Sequence, residues 1–125
     1  MEEKVYKIAI VDDELEILSL LDRYLSKKDK YTVSTFSNPK VALDSCIRDD
    51  YDLILLDIMM PQLSGVEFLE QIKEKKAKQK VCMMTAYSTL DKVLKSHKEG
   101  AENYIMKPFS SLQALDEKIE SILNK

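Results

Sequence analysis

Short apolar runs alternate along the whole chain with longer segments whose apolar residues recur every three or four positions. Two of these runs, "LILL" and "VCMM", are apolar without alternation, which is typical of strands covered on both faces. The intervening segments have the period of amphipathic helices. This pattern predicts βα units wound into a parallel sheet. The five predicted strands are Val5 to Val11, Tyr31 to Phe36, Leu53 to Leu56, Val81 to Met84 and Tyr104 to Met106.

Five helices are predicted after these five strands. Asn38 before Pro39 is a typical helix start, and Ser110 with Gln113 would form a capping box before the last helix. Gly100 stands where it would end the fourth helix. The apolar stripes of the five helices contain, in order, Leu15, Leu18, Leu21 and Leu25; Val41, Ala42 and Cys46; Val66, Leu69 and Ile72; Leu90, Val93, Leu94 and His97; and Leu112, Leu115, Ile119 and Ile122.

Length and charge limit the class of function. A chain of 125 residues fits one domain, residues 1–125, and can bury a sizeable core. The formal net charge of −3 argues against a nucleic-acid surface, because such surfaces neutralise phosphates with Lys and Arg. The basic run from Lys73 to Lys80 reads as a solvated helix end and loop, since Glu74 interrupts it and it contains no aromatic residue. We expect no direct contact between this domain and nucleic acid.

Cysteine usage and hydropathy indicate the compartment. Cys46 and Cys82 lie far apart among apolar residues and form no CxxC pattern, so we expect two buried free thiols in a reducing environment. The N-terminus has no apolar core of signal-peptide length, and no run approaches the ~20 residues of a membrane span. These features predict a cytoplasmic protein that does not enter the membrane.

Polar side chains stand where the predicted strands end. Asp12 and Asp13 follow the first strand, Asp57 the third, Thr85 the fourth and Lys107 the fifth. Because ligands bind beyond the carboxyl ends of the strands in such folds, these residues would share one site. Singly, each has an ordinary interpretation, such as a cap of the first helix for Asp13. Together, three carboxylates at one edge require a compensating cation or proton.

The chemistry of this residue set indicates phosphoryl transfer. Oxygen ligands with retained water suit Mg²⁺. With Asp57 as nucleophile, Mg²⁺ and Lys107 would balance the charge on the transferred oxygens, and Thr85 would supply a hydroxyl. The sequence therefore predicts a Mg²⁺-dependent phosphoryl acceptor whose catalytic residues are Asp57, Thr85 and Lys107.

Four segments of the chain resemble the receiver domain of bacterial two-component response regulators, of the single-domain chemotaxis and sporulation type. They are "IAIVDDE", "DLILLDIMMPQLSG", "VCMMTAY" and "GAENYIMKPF", in family order and spacing. The resemblance covers the entire chain and implies a flavodoxin-like, doubly wound α/β fold with strand order 2-1-3-4-5 and five helices. It also implies that Asp57 accepts a phosphoryl group from a sensor histidine kinase or a histidine phosphotransfer protein, and that a downstream protein target reads the change.

The resemblance implies a role for each acid of the site. Asp13, Asp57 and the backbone carbonyl of Met59 would bind Mg²⁺ directly, and Asp12 would act mainly through water. Glu14 reads as a first-turn acid favoured by the helix dipole.

The resemblance also implies a conformational switch. Thr85 would move toward the phosphoryl group, and the ring of Tyr104 would turn inward behind it. Lys107 would pair with Asp57 or with its phosphoryl oxygens, and the Lys107 to Pro108 peptide bond would be cis. The surface that changes in the family is made by the fourth helix, the fifth strand and the fifth helix.

Two other classes of function share this topology. A phosphatase with an aspartyl intermediate usually has a second acid just after its nucleophile, but Ile58 and Met59 follow Asp57. A flavin carrier needs a phosphate-cradling loop after the first strand, where "VDDE" would repel a phosphate. The sequence favours a switch that catalyses only its own phosphorylation and dephosphorylation. Such a switch is either a stand-alone regulator or a receiver excised from a longer one.

Overall fold

A computed structural model describes residues 4–85 and 103–125 of the chain. Five parallel strands form one sheet in the order β2-β1-β3-β4-β5, which confirms the predicted doubly wound α/β fold. The strands are β1 (Tyr6–Val11), β2 (Tyr31–Phe36), β3 (Leu53–Asp57), β4 (Val81–Thr85) and β5 (Asn103–Met106). The helices within the described residues are α1 (Leu15–Ser26), α2 (Pro39–Arg48), α3 (Gly65–Lys75) and α4 (Leu112–Leu123).

The predicted fourth helix and its end at Gly100 fall in residues 86–102, outside the part of the chain that the structure describes. Helix α4 is therefore the fifth of the predicted helices. Among the described helices, none is both long enough and apolar enough to cross a membrane.

Two apolar layers hold the helices against the sheet. Consecutive strand residues point to opposite faces, so Ile54 and Leu56 pack with α2 and α3, while Leu53 and Leu55 pack with α1 and α4. All five residues of β3 and all five of β4 are buried, as the unbroken apolar runs predict. The free thiols of Cys46 and Cys82 are also buried, as expected.

The helix starts agree with the predictions at one position and differ at another. Asn38 caps α2, because its side-chain oxygen accepts from the backbone N–H groups of Lys40 and Val41 at 2.9 and 3.3 Å. The predicted capping box at Ser110 is wrong by one residue. Ser111 caps α4, with its hydroxyl oxygen accepting from Ala114 N at 2.9 Å.

Gly65 lets the start of α3 lie directly on the backbone that follows β3. A Cβ atom at this position would be 2.3 Å from the carbonyl oxygen of Asp57 and 2.7 Å from the Cα of Ile58. The Gly65 N–H donates to the Ile58 carbonyl at 2.8 Å, and a capping box between Ser64 and Glu67 completes the turn. The third helix therefore fixes the position of the chain at Asp57.

The basic run from Lys73 to Lys80 is not simply solvated, which corrects the sequence interpretation. The Lys76 ammonium donates to the carbonyls of Cys46 and Asp49 at 2.9 and 2.6 Å, at the end of α2. The Lys80 ammonium donates to carbonyls in the last turn of α4. Because the last carbonyls of a helix lack intrahelical partners, these lysines stabilise two helix ends.

Candidate functional site

The sheet brings the predicted site residues to one edge. Asp12 directly follows β1, Asp57 ends β3, Thr85 ends β4, and Lys107 directly follows β5. The Lys107 N–H donates to the Thr85 carbonyl at 2.6 Å, which ties the ends of β4 and β5 together. The convergence follows from the parallel arrangement, since all carboxyl ends lie on the same side.

Three carboxylates form a cluster at this edge. One oxygen from each of Asp12, Asp13 and Asp57 lies within 4.8 Å of the others. Asp12 is fully buried and Asp57 is 6% exposed, whereas Asp13 is exposed. Like charges at such distances repel strongly when water is excluded. The cluster therefore requires positive charge nearby.

One lysine supplies part of that charge. The Lys107 ammonium, 13% exposed, lies 2.6 Å from Asp12 Oδ2 and 3.3 Å from Asp57 Oδ1. It also lies 3.3 Å from Glu14 Oε1. Burial alone would lower the pKa of Lys107, but its hydrogen bond to Asp12 and the charges of the surrounding acids raise the pKa overall. The shortest contact of the Lys107 ammonium is with Asp12, and its contacts with Asp57 and Glu14 are longer.

Asp57 is incompletely neutralised. Burial, followed by the charge of Asp12, raises the pKa of Asp57 to about 7, although the charge of Lys107 opposes the shift. Perturbed acids of this kind concentrate at functional sites. One ammonium shared among several carboxylates leaves room for a further cation, and a cluster of carboxylate oxygens suits a hard one.

Asp12 and Glu14 are joined at the start of α1. Asp12 Oδ1 accepts from the Glu14 N–H at 2.9 Å, so both oxygens of Asp12 are bonded. Glu14 is the N-cap residue of α1, and its side chain makes no capping hydrogen bond. This corrects the interpretation of Asp13 as the cap and of Glu14 as a first-turn acid. The sequence analysis did not predict the contact between Glu14 and Lys107. The third consecutive acid of "VDDE", which is Glu14, could have indicated it.

The remaining site residues surround this cluster. Thr85 is buried, and the peptide bond between Lys107 and Pro108 is cis. Met59 lies in the loop between β3 and α3 with an exposed side chain. Tyr104 is half-buried on β5 and packs against the core layer beneath α2 and α3.

The sequence matches a known family over most of its length. The family model described as the response regulator receiver domain matches residues 8–120. The chain belongs to this family. As a receiver domain it is a phosphoacceptor signalling switch of a two-component system and not a classical enzyme. The alternatives of a phosphatase and a flavin carrier are not favoured.

Two of the curated relatives of this receiver domain are named transcriptional regulatory proteins. The transcriptional regulatory protein ResD of Bacillus subtilis (strain 168) is 40% identical over 83% of this chain and 42% of its own length. The alkaline phosphatase synthesis transcriptional regulatory protein PhoP of the same strain is 37% identical over 95% of this chain and 49% of its own length. The chain thus spans about half the length of these relatives.

Solved structures of receiver domains have the same fold. A CheY-like receiver domain protein from Methanospirillum hungatei JF-1 superposes with a TM-score of 0.89 at 31% identity, over 97% of this chain and 95% of its own. A receiver domain described as BeF3-activated DrrB gives a TM-score of 0.84 at 30% identity, over 97% and 99% of the two chains. These solved domains therefore share the receiver architecture with this chain.

Proposed function

We propose that Asp57 is the phosphoacceptor of this receiver domain, and that residues 1–125 form one such domain. A phosphohistidine on a sensor histidine kinase or a histidine phosphotransfer protein would be the donor. The observation that carries this proposal is the position of the buried Asp57 carboxylate, 3.3 Å from the Lys107 ammonium and within 4.8 Å of oxygens of Asp12 and Asp13.

The donor set fits Mg²⁺. Asp13, Asp57 and the backbone carbonyl of Met59 would hold the ion, with Asp12 acting through water. The fit is supported by the carboxylate oxygens of the cluster and by the pKa of Asp57, which burial and then the charge of Asp12 raise. When bound, the ion would supply positive charge opposite the transferred oxygens.

The chain's own residues account for the transfer. An oxygen of the Asp57 carboxylate forms a bond to phosphorus while the bond from phosphorus to the donor nitrogen breaks, and the imidazole takes that electron pair. Lys107 and the Thr85 hydroxyl contact the transferred oxygens. Attack by water later releases inorganic phosphate and restores Asp57. The domain would thus catalyse its own phosphorylation and dephosphorylation.

The phosphoryl group would be read as a change of surface. It adds about 1.5 to 2 negative charges, which can bias an element with two arrangements. Thr85 and Tyr104 would couple that charge to a face made by the predicted fourth helix, β5 and α4. We propose that the downstream protein target binds this face. We also propose that the domain acts in the cytoplasm and does not contact nucleic acid directly.

Phosphorylation by a small donor tests the proposal. Incubated with Mg²⁺ and acetyl phosphate, the wild-type protein should gain one base-labile phosphoryl group by intact mass, and Asp57→Asn should gain none. Asp116→Asn is the matched control, because it removes a buried carboxylate from α4, outside the site, and should still gain the group. A gain that persists in Asp57→Asn would contradict the assignment.

A further inference from the structure

We propose that Glu14 is a positioning residue. It holds the Lys107 ammonium in the position that this group occupies before Asp57 is phosphorylated, and thereby slows phosphoryl gain at Asp57. The inference rests on the proposed function, because it assigns a rate-setting contact to the same site. The Lys107 ammonium group is shared among three acids. Lys107 Nζ lies 2.6 Å from Asp12 Oδ2, 3.3 Å from Glu14 Oε1 and 3.3 Å from Asp57 Oδ1.

The carboxylate of Glu14 is not used to start the helix. Although Glu14 is the N-cap residue of α1, its side chain makes no capping hydrogen bond. Its backbone N–H donates to Asp12 Oδ1, and its backbone carbonyl accepts from Ile17 and Leu18. Replacing the carboxylate therefore changes the contact with Lys107 without removing a cap. Because Glu14 is 61% exposed, that contact is of modest strength.

The contact between Glu14 and Lys107 affects the rate of phosphoryl gain and the rate of phosphoryl loss differently. During transfer, negative charge accumulates on oxygens beside Asp57, and the Lys107 ammonium must turn toward them. A contact made before transfer and given up on the way raises the barrier to phosphoryl gain. Phosphoryl loss starts with Lys107 already turned toward the phosphoryl group. The contact with Glu14 therefore does not enter the barrier to loss.

Two substitutions separate contact from charge. Glu14→Gln removes the charge, whereas Glu14→Asp keeps the charge and shortens the side chain by one methylene, so that it no longer reaches an ammonium already 3.3 Å away. Glu16→Gln is the matched control, because Glu16 is an acid in the first turn of the same helix.

Rates are measured by intact mass with acetyl phosphate and Mg²⁺, and then after the donor is removed. Both Glu14 variants should gain the phosphoryl group about twofold to fivefold faster than wild type, the range expected for one exposed ion pair. They should lose it at the wild-type rate. Glu16→Gln should match wild type in both directions.

Each other outcome has a definite meaning. Equal rates of gain in wild type and both Glu14 variants, or an equal acceleration of gain and loss, would overturn the inference and leave the role of Asp57 intact. Faster gain in Glu14→Gln with wild-type behaviour in Glu14→Asp would also overturn it, since charge repulsion of the anionic donor would then be the cause. No gain in wild type would instead contradict the proposed function.

A spectroscopic measurement tests the contact without any phosphoryl donor or metal. The side-chain ammonium signal of Lys107 can be followed in ¹H–¹⁵N spectra of the unphosphorylated protein and assigned with Lys107→Arg. Both Glu14 variants should shift this signal, and Glu16→Gln should leave it in place. A Lys107 signal that is unmoved in both Glu14 variants would overturn the inference.

Discussion

Two aspartates, each almost fully buried, are neutralised very differently in this molecule. Asp116 on α4 is 8% exposed and accepts a hydrogen bond from the Tyr31 hydroxyl at 2.6 Å. The ammonium groups of Lys30 and Lys28 lie 3.5 and 3.9 Å from its other oxygen. Asp116 thus has a phenol and two cations, of which Lys30 also pairs with Glu120. Asp57, which is 6% exposed, shares its lysine with other acids.

Because Asp57 and Asp116 are almost equally buried, they differ mainly in the number of cations that serve them. Around Lys107, one cation serves Asp12, Glu14 and Asp57, and the pKa of Asp57 is raised to about 7, chiefly by burial. An acid with enough cations contributes to the folded state, whereas an acid with too few is costly to keep there. The second kind of acid is the one that marks a functional site.

The largest expected effect is an opposite change in stability when each acid is neutralised. Without Mg²⁺ at neutral pH, Asp116→Asn should lower the free energy of unfolding by about 2 kcal/mol, because it weakens a charge-assisted hydrogen bond and removes two ion pairs. Asp57→Asn should raise the free energy of unfolding by about 1 kcal/mol, because it removes a poorly compensated buried charge. Urea unfolding measures both changes.

The pH dependence supplies the control for this comparison. The folded state raises the pKa of Asp57 from 3.8 to about 7, so the stabilisation from its proton is lost as the pH rises through that interval. The advantage of Asp57→Asn should therefore shrink as the pH falls and vanish well below pH 3.8, where the carboxyl group is protonated in both states. Changes of the same sign in the two variants at neutral pH would contradict the comparison.

A divalent cation should make the two regions more alike. At tenfold its dissociation constant, Mg²⁺ should raise the free energy of unfolding of the wild-type protein by about 1.4 kcal/mol, since it binds only the folded state. Thermal unfolding with MgCl₂ and with EDTA measures the difference. The stabilisation should be lost in Asp13→Asn and Asp57→Asn and retained in Asp116→Asn. Equal stabilisation in all four proteins would remove Asp13 and Asp57 from the metal site.

The smallest expected effect concerns the phenol beside Asp116. Burial, with the hydrogen bond to Asp116, raises the pKa of Tyr31 above its usual value near 10. The stabilisation from this hydroxyl is thus present below pH 10 and lost as the pH rises further. Tyr31→Phe should lower the free energy of unfolding by about 1 kcal/mol at pH 8, with a smaller difference at pH 11.

Tyr24→Phe is the comparison variant for this measurement, because it leaves the bond between Tyr31 and Asp116 in place. A difference between wild type and Tyr31→Phe that stays constant from pH 8 to pH 11 would show that the hydroxyl proton is not what stabilises this cluster.

The strands were predictable because a buried parallel strand corresponds to a short, unbroken apolar run in the sequence. Their observed bounds differ from the predicted ones by one residue at most at either end, as where β3 extends to Asp57 and β4 to Thr85. The convergence of the site followed from the shared direction of the strands. The strand order came from the family resemblance, since apolar runs do not state which strands are neighbours.

Side-chain partners were less predictable because they depend on reach and angle. Lys107 is closest to Asp12, and the cap of α4 is Ser111 where Ser110 was expected. Lys76 and Lys80 bond carbonyls that belong to helices distant in sequence. A linear pattern records which residues are polar and not which distant backbone group each one meets.

Gly65 has a consequence for how a signal could leave Asp57. With no room for even one carbon atom between α3 and the Asp57 carbonyl, the start of that helix and the end of β3 can shift only as a single body. The opposite side of the site is different, since there the Lys107 ammonium contacts Asp12 and Asp57 through a long flexible side chain. Charge added at Asp57 should therefore displace the ends of β4 and β5 more readily than the start of α3.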